Sequence, residues 1–127
     1  MLTYRQARGT EAETAAVGYL IAQGWRVIAR NIELAGVEVD VLAVDPGPPS
    51  TIVVVEVRSA RSSKYGAPED KIDRSKVARL YRAMAELRRT EGLVTDVMAY
   101  TVRVDLLVVD LRRGFEEFRH LRALEPA

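Results

Sequence analysis

The chain contains no cysteine, which excludes disulfides, thiolate metal sites and a cysteine nucleophile and is compatible with a reducing compartment. Histidine occurs once, as His120, in the segment FRHLR, which itself holds no carboxylate or nucleophile, so a surface or packing role is expected rather than catalysis. No stretch approaches the roughly 18 uninterrupted apolar residues of a membrane span, and the first residues, MLTYRQARGTEAE, lack the apolar segment of a signal peptide. A Gly-rich phosphate loop, a GxSxG elbow and an HExxH motif are all missing. What is there, 127 residues with 48% hydrophobic and 29% charged, suits one globular domain over residues 1–127, soluble and cytoplasmic.

Nor is there an excess of charge of one sign: the net charge is +1. The distribution is uneven, however. Residues 58–89 hold ten Lys/Arg against four Asp/Glu, a local +6 against −5 for the rest. A basic segment of this kind suits a phosphate-rich ligand, and a solvated helix face accounts for the charge alone equally well.

The most strand-like part of the chain, Val37 to Arg58, also carries charges where a core should be. Val37, Val39, Val41 and Ala43 alternate with Glu38, Asp40, Leu42 and Val44. A β-branched run, Ile52 to Val57, has Glu56 set into it. Between these limbs Asp45-Pro-Gly-Pro-Pro-Ser50 can only turn, which makes a hairpin. Closure about Pro48 would set Val44 opposite Ile52, Leu42 opposite Val54, Asp40 opposite Glu56 and Glu38 opposite Arg58, all on one face. Like charges opposed at about 5 Å are destabilising, so Asp40 and Glu56 require a shared proton, a nearby cation or a divalent metal.

Thr10-x-x-Glu13 matches a capping box, with Thr3-x-x-Gln6 an earlier candidate, and a helix follows to Gly24. Glu13 lies at the edge of its buried stripe, either as the reciprocal cap partner or as an inward carboxylate. Trp25 to Ile32 reads as a strand and Asn31 to Gly36 as the turn into the hairpin. After a polar loop containing Tyr65, Asp73 caps a second helix to about Thr90, ended by Gly92, with Val77, Leu80, Met84 and Leu87 as its apolar stripe. A strand from about Met98 to Asp110 follows, Leu93 to Val97 have no assignment, and Phe115 to Leu121 can return as an edge strand. The order α-β-β-β-α-β, with that further edge strand, is an α/β fold, a mixed sheet flanked by helices.

An acid on one strand and an acid-x-cation on the next supply what phosphodiester hydrolysis needs. Asp40 and Glu56 would hold Mg²⁺ or Mn²⁺, and Arg58 would stabilise the developing charge. Glu13, if inward, would complete the metal shell through water.

Gly9, Glu13, Ala16, Tyr19 and Leu20 in the first helix region, Gly24 and Asn31 after it, Glu38-Val-Asp40, Val55-Glu56-Val-Arg58, Tyr65-Gly66, Pro68, Lys76 and Arg103-x-Asp105 form one pattern. This pattern resembles the YraN-like family of small bacterial proteins, placed in the restriction-endonuclease-like superfamily and similar to archaeal Holliday-junction resolvases. The resemblance implies a restriction-endonuclease-like fold and a metal-dependent nuclease, with Asp40 and Glu56 as ligands and Glu13 as accessory acid. The chain departs from the family pattern at Ala12-Glu13 for Gly-Glu, at Val37-Glu38-Val39-Asp40 for Gly-Glu-Ile-Asp, and at Arg58 for lysine. Arginine keeps the charge but cannot exchange protons.

Three readings follow. One is a Mg²⁺- or Mn²⁺-dependent endonuclease acting on structured or branched DNA, with Asp40, Glu56, Arg58 and Glu13 catalytic and Glu38 supporting. Arg61, Lys64, Tyr65, Lys76, Arg79 and Arg82 would then contact nucleic acid, and the edge strand could serve a homodimer. The second is a catalytically degenerate nucleic-acid-binding module. The third is an interaction protein in which Glu38–Arg58 is a salt bridge and a further arginine such as Arg103 relieves Asp40 and Glu56.

Overall fold

The computed structural model describes residues 2–4, 10–62, 64, 66–90 and 101–126. Its framework is a mixed sheet whose strands lie in sequence order: β1 (Leu2–Tyr4), β2 (Arg26–Leu34), β3 (Val37–Asp45), β4 (Thr51–Ala60), β5 (Thr101–Asp110) and β6 (Glu117–Leu121). Helix α1 (Glu11–Ala22) packs on one face and α2 (Arg74–Thr90) on the other. A 3-10 turn, Pro68–Lys71, precedes α2. Neighbouring strands are antiparallel except β4 and β5, whose parallel pairing needs the crossover that α2 supplies. This is the expected α/β mixed sheet, α-β-β-β-α-β-β in its five longer strands, with the three-residue β1 added beside β2. No helix among the described residues is long and apolar enough to cross a membrane.

Because helices cover both faces, β4 is buried continuously from Thr51 to Glu56, which is why it reads as an unbroken β-branched run instead of alternating. Ile52 and Val54 join Leu42, Val44, Val104, Leu106 and Val108 against Val77, Leu80, Met84 and Leu87 of α2. Val53 and Val55 join Val41, Ala43, Leu107 and Val109 against Ala12, Ala16 and Leu20 of α1. The stripe that its spacing predicts for α2 is therefore the one it buries, and Asp73 caps it by accepting Lys76 N–H at 3.0 Å.

The β3–β4 hairpin closes about Pro48, pairing Val44 with Ile52 and Leu42 with Val54 as expected. Asp45 Oδ1 accepts Gly47 N–H at 3.0 Å inside the turn. The ladder stops at Val41–Val55, one rung short of Asp40 and Glu56. The expected cross-strand pairs Asp40–Glu56 and Glu38–Arg58 are consequently not rungs of the sheet. Glu38 is exposed and lies across from Glu33 of β2.

The turn from β2 to β3 is shorter than the sequence suggests. It is Ala35-Gly36, at φ +48° and +80°, the two-residue left-handed turn that matches strand twist. Asn31, expected to begin that turn, lies inside β2 at φ +51°; asparagine tolerates this conformation where most residues do not. Asn31 and Asp40 sit between the rungs Arg30–Val41 and Ile32–Val39, and here the inside–outside alternation resets. Ala29 and Ile32, three residues apart, both enter the α2-side core, as do Val39 and Leu42. A strict period of two along Val37 to Val44 therefore fails at Asp40. The expected helix stop Gly92, the unassigned Leu93 to Val97, the strand start at Met98, and Gly9 and Gln6 lie outside the described residues.

Toward β6, Asp105 is fully buried and accepts from Arg103 Nε at 2.7 Å and Nη2 at 3.0 Å, from Ala123 N–H at 3.0 Å, and pairs with His120 Nε2 at 2.8 Å. His120 also packs 5.3 Å from the Trp25 ring and 5.8 Å from Tyr19. Its role is packing, and its carboxylate comes from the neighbouring strand, where local sequence could not show it. Arg103 reaches Asp45 as well, at 3.0 Å, so it does not serve Asp40 and Glu56; that suggested relief is corrected.

Burial pushes the Asp105 carboxyl up, but the hydrogen bonds from His120, Arg103 and the Ala123 N–H outweigh it and hold it below the usual 3.8. A carboxyl depressed by folding adds stability above its unfolded value, and that stability drains as pH falls through the folded value. Asp105→Asn is therefore expected to lower stability at pH 7 by about 3–5 kcal/mol, the range for removing one partner of a buried ionic pair. Urea unfolding at several pH values checks this: the gap from wild type should close below pH 3.8, and a gap independent of pH would refute it.

Candidate functional site

Glu56 sits in the central strand with its side chain 7% exposed. Its Oε2 is held by two cations, Lys76 Nζ at 3.1 Å and Arg58 Nη2 at 3.1 Å. Its Oε1 is buried without a hydrogen-bond partner. Burial, and then the negative charge of Asp40, push the Glu56 carboxyl up, and Lys76 and Arg58 offset only part of that rise.

Asp40 lies just beyond the last β3–β4 rung, where its Oδ2 accepts Val57 N–H at 2.9 Å. Arg58 Nη1 stands 3.8 Å from that same oxygen. One guanidinium thus spans both carboxylates. Asp40 lines a cleft under α1 with Thr10, Glu13, Ser59 and Arg61, whereas Glu56 lines a small cavity of about 30 Å³ on the α2 side with Lys76, Ile72 and Val77. Arg58 lines both. The acids do not oppose each other across a flat face; they meet at the open end of the ladder, one from each side.

For Glu13 the two sequence readings turn out to combine. The helix does begin at Thr10, whose Oγ1 accepts Glu13 N–H at 3.0 Å. The Glu13 carboxylate nevertheless turns inward, buried, to accept Asn31 Nδ2 at 2.7 Å, with Arg30 Nε 3.5 Å away. Only half of the capping box forms, because the left-handed Asn31 offers a buried donor that solvent cannot match.

The other expected positions divide. Arg61 is exposed and pairs with Glu11 at 3.6 Å. Lys64, Arg79 and Arg82 are exposed, and Tyr65 lies outside the described residues. Lys76, expected among the exposed backbone contacts, is turned onto Glu56 instead. Sequence reasoning missed Asn31 as the partner of Glu13; its signals were an asparagine within a strand-like run and its place beside Glu13 in the family pattern. It also missed Arg119 of β6, which donates from Nη2 to Glu69 Oε1 at 3.1 Å and from Nη1 to Asp110 Oδ2 at 2.8 Å. This clamps the 3-10 turn, whose Pro68 and Lys71 line the Glu56 cavity. No sequence signal marks a contact across 50 residues.

Among the described residues no group of three or more His, Asp or Glu is gathered as a ready metal cage. Asp40 and Glu56 supply hard carboxylate oxygens, the donor type that a divalent cation keeping several waters takes, and Glu56 Oε1 is buried without a hydrogen-bond partner.

Residues 12–109 match the model described as "Uncharacterised protein family UPF0102". A UPF0102 protein of Persephonella marina is 38% identical over 102 residues, covering 80% of this chain and 82% of that protein. One of a Nocardioides species is 32% identical over 121 residues, 94% of this chain and 92% of that protein. Another, of Deinococcus radiodurans, is 34% identical over 114 residues, 90% and 89% respectively.

A raised folded-state value means that ionised Glu56 opposes folding. The associated stability is full below the ordinary 4.5 and is lost as pH rises through the raised value. Without divalent ions, Glu56→Gln should therefore melt above wild type at pH 7, with the difference shrinking as pH falls toward 4.5. Calorimetry across that range checks it, and a variant melting below wild type by a constant margin would contradict it.

Proposed function

Starting from the fact that this chain belongs to the uncharacterised protein family UPF0102, we propose that it is a divalent-metal-dependent endonuclease of the restriction-endonuclease-like kind, acting on structured or branched DNA. The observation that carries this reading is the pair Asp40 and Glu56, joined through Arg58 at the open end of the β3–β4 ladder, with Glu56 Oε1 buried and unmatched.

In this reading Asp40 and Glu56 hold Mg²⁺ or Mn²⁺. Such an ion supplies Lewis-acid polarisation of a phosphoryl oxygen and a bound water of lowered pKa. Arg58, already oriented by both carboxylates, presents a fixed cation to the developing phosphoryl charge. Glu13, oriented by Asn31, borders the same cleft as Asp40 and serves as the accessory acid, while Glu38 is a peripheral charge. The exposed Arg61, Lys64, Arg79 and Arg82, with Tyr65, supply contacts to the nucleic-acid backbone, in keeping with the local +6 of residues 58–89.

A second reading, a binding module without catalysis, is favoured by one observation: Arg58 and Lys76 both rest on the Glu56 carboxylate, each 3.1 Å from Oε2. Cleavage assays on junction, flap and single-stranded DNA in Mg²⁺ and Mn²⁺ separate the two. Asp40→Ala is expected to abolish metal-dependent cleavage while keeping salt-sensitive DNA binding. A wild type that binds these substrates but cuts none in either ion would leave the binding module as the function.

A further inference from the structure

We propose that Lys76 is a catalytic residue: its amine, delivered from α2, rests on Glu56 and passes to a phosphoryl oxygen of the substrate when Glu56 engages a divalent ion. This rests on the nuclease reading and deepens it, because it identifies the cation that the strand motif of this chain does not provide in mobile form.

Three observations carry the inference. The first is placement. Arg79 and Arg82 of the same helix are exposed, whereas the Lys76 side chain is only 20% exposed and ends 3.1 Å from Glu56 Oε2. Its backbone is fixed in the first turn by the cap from Asp73. The second is the division of labour between the cations. Arg58 spreads its fork over Asp40 and Glu56 together, which holds the two acids in place and ties the guanidinium to them. Lys76 makes a single contact through a compact ammonium on a flexible stem, so it can exchange one oxyanion for another without disturbing that frame.

The third is charge. Asp40 and Glu56 are balanced by Arg58 and Lys76 as the site stands. A divalent ion on the carboxylates leaves two positive charges unmatched, which is what the doubly negative transition state of phosphodiester hydrolysis requires. With Arg58 alone the site falls one charge short. Lys76 takes no part in making or breaking bonds; its contribution is electrostatic.

The test compares wild type with Lys76→Met, Lys76→Gln and Lys76→Arg in two measurements: the Mn²⁺-dependent rise in melting temperature, and Mn²⁺-dependent cleavage of the DNA panel. Lys76→Met and Lys76→Gln should lose about 10²-fold in cleavage rate, and Lys76→Arg should recover part of it. All three should keep the melting shift, and in the two uncharged variants its midpoint should move to lower Mn²⁺, since a competing cation is gone from Glu56. Should either uncharged variant fail to fold, the other and Lys76→Arg carry the comparison. Uncharged variants that cut like a cutting wild type overturn the inference alone. Loss of the Mn²⁺ shift also overturns it, marking Lys76 as a prop for Glu56. A wild type that neither cuts nor responds to Mn²⁺ overturns the nuclease reading and this inference with it.

Discussion

A carboxylate in the middle of a strand covered on both faces cannot be solvated by water, and the protein must answer that charge from within. Glu56 is that carboxylate, and much of the surrounding architecture is arranged about it. Arg58, two residues on along β4, supplies one cation and α2 supplies another through Lys76. Even so the Glu56 carboxyl is pushed up, first by burial and then by Asp40. Packing alone would favour an aliphatic residue here; retaining an acid with one unmatched oxygen directs attention to chemistry at this point.

The second constraint lies in the sheet itself. Antiparallel β3 and β4 stay paired from the Pro-rich turn down to Val41–Val55 and then part. Asp40 satisfies the next β4 donor, Val57 N–H, with its side chain where a ladder would use backbone. The reset of alternation at Asn31 and Asp40 belongs to the same region. It leaves Asp40 on the α1 cleft and Asn31 in contact with Glu13, so helix and sheet each contribute an acid to one end of the fold. The clamp of Arg119 on Glu69 then fixes the turn that roofs the opposite side.

Which parts of this were readable beforehand follows the range of the interactions. Elements set by local rules were legible: the Thr10 and Asp73 caps, the α2 stripe of Val77, Leu80, Met84 and Leu87, the proline turn and its register, and the return of β6. The charges at Asp40 and Glu56 could be recognised as anomalous from their positions in apolar strands. Misjudged were Asn31, taken for a turn residue because its left-handed preference fits turns and bulges alike, and Glu38, whose neighbour is set by β2 and not β4.

By itself, then, the sequence determined the order of elements, the apolar stripe of α2 and the anomalous acids Asp40 and Glu56, because periodicity, capping and turn chemistry act over a few residues, but it did not show that Asp45, Asp105 and Asp110 are buried. Only the tertiary structure decided which groups meet the buried acids. Lys76 rather than Arg103 serves Glu56, and His120 serves Asp105. Such pairings depend on where separate elements come to rest against one another, and a one-dimensional pattern carries no record of a distance closed only when two helices are packed onto the opposite faces of a twisted sheet.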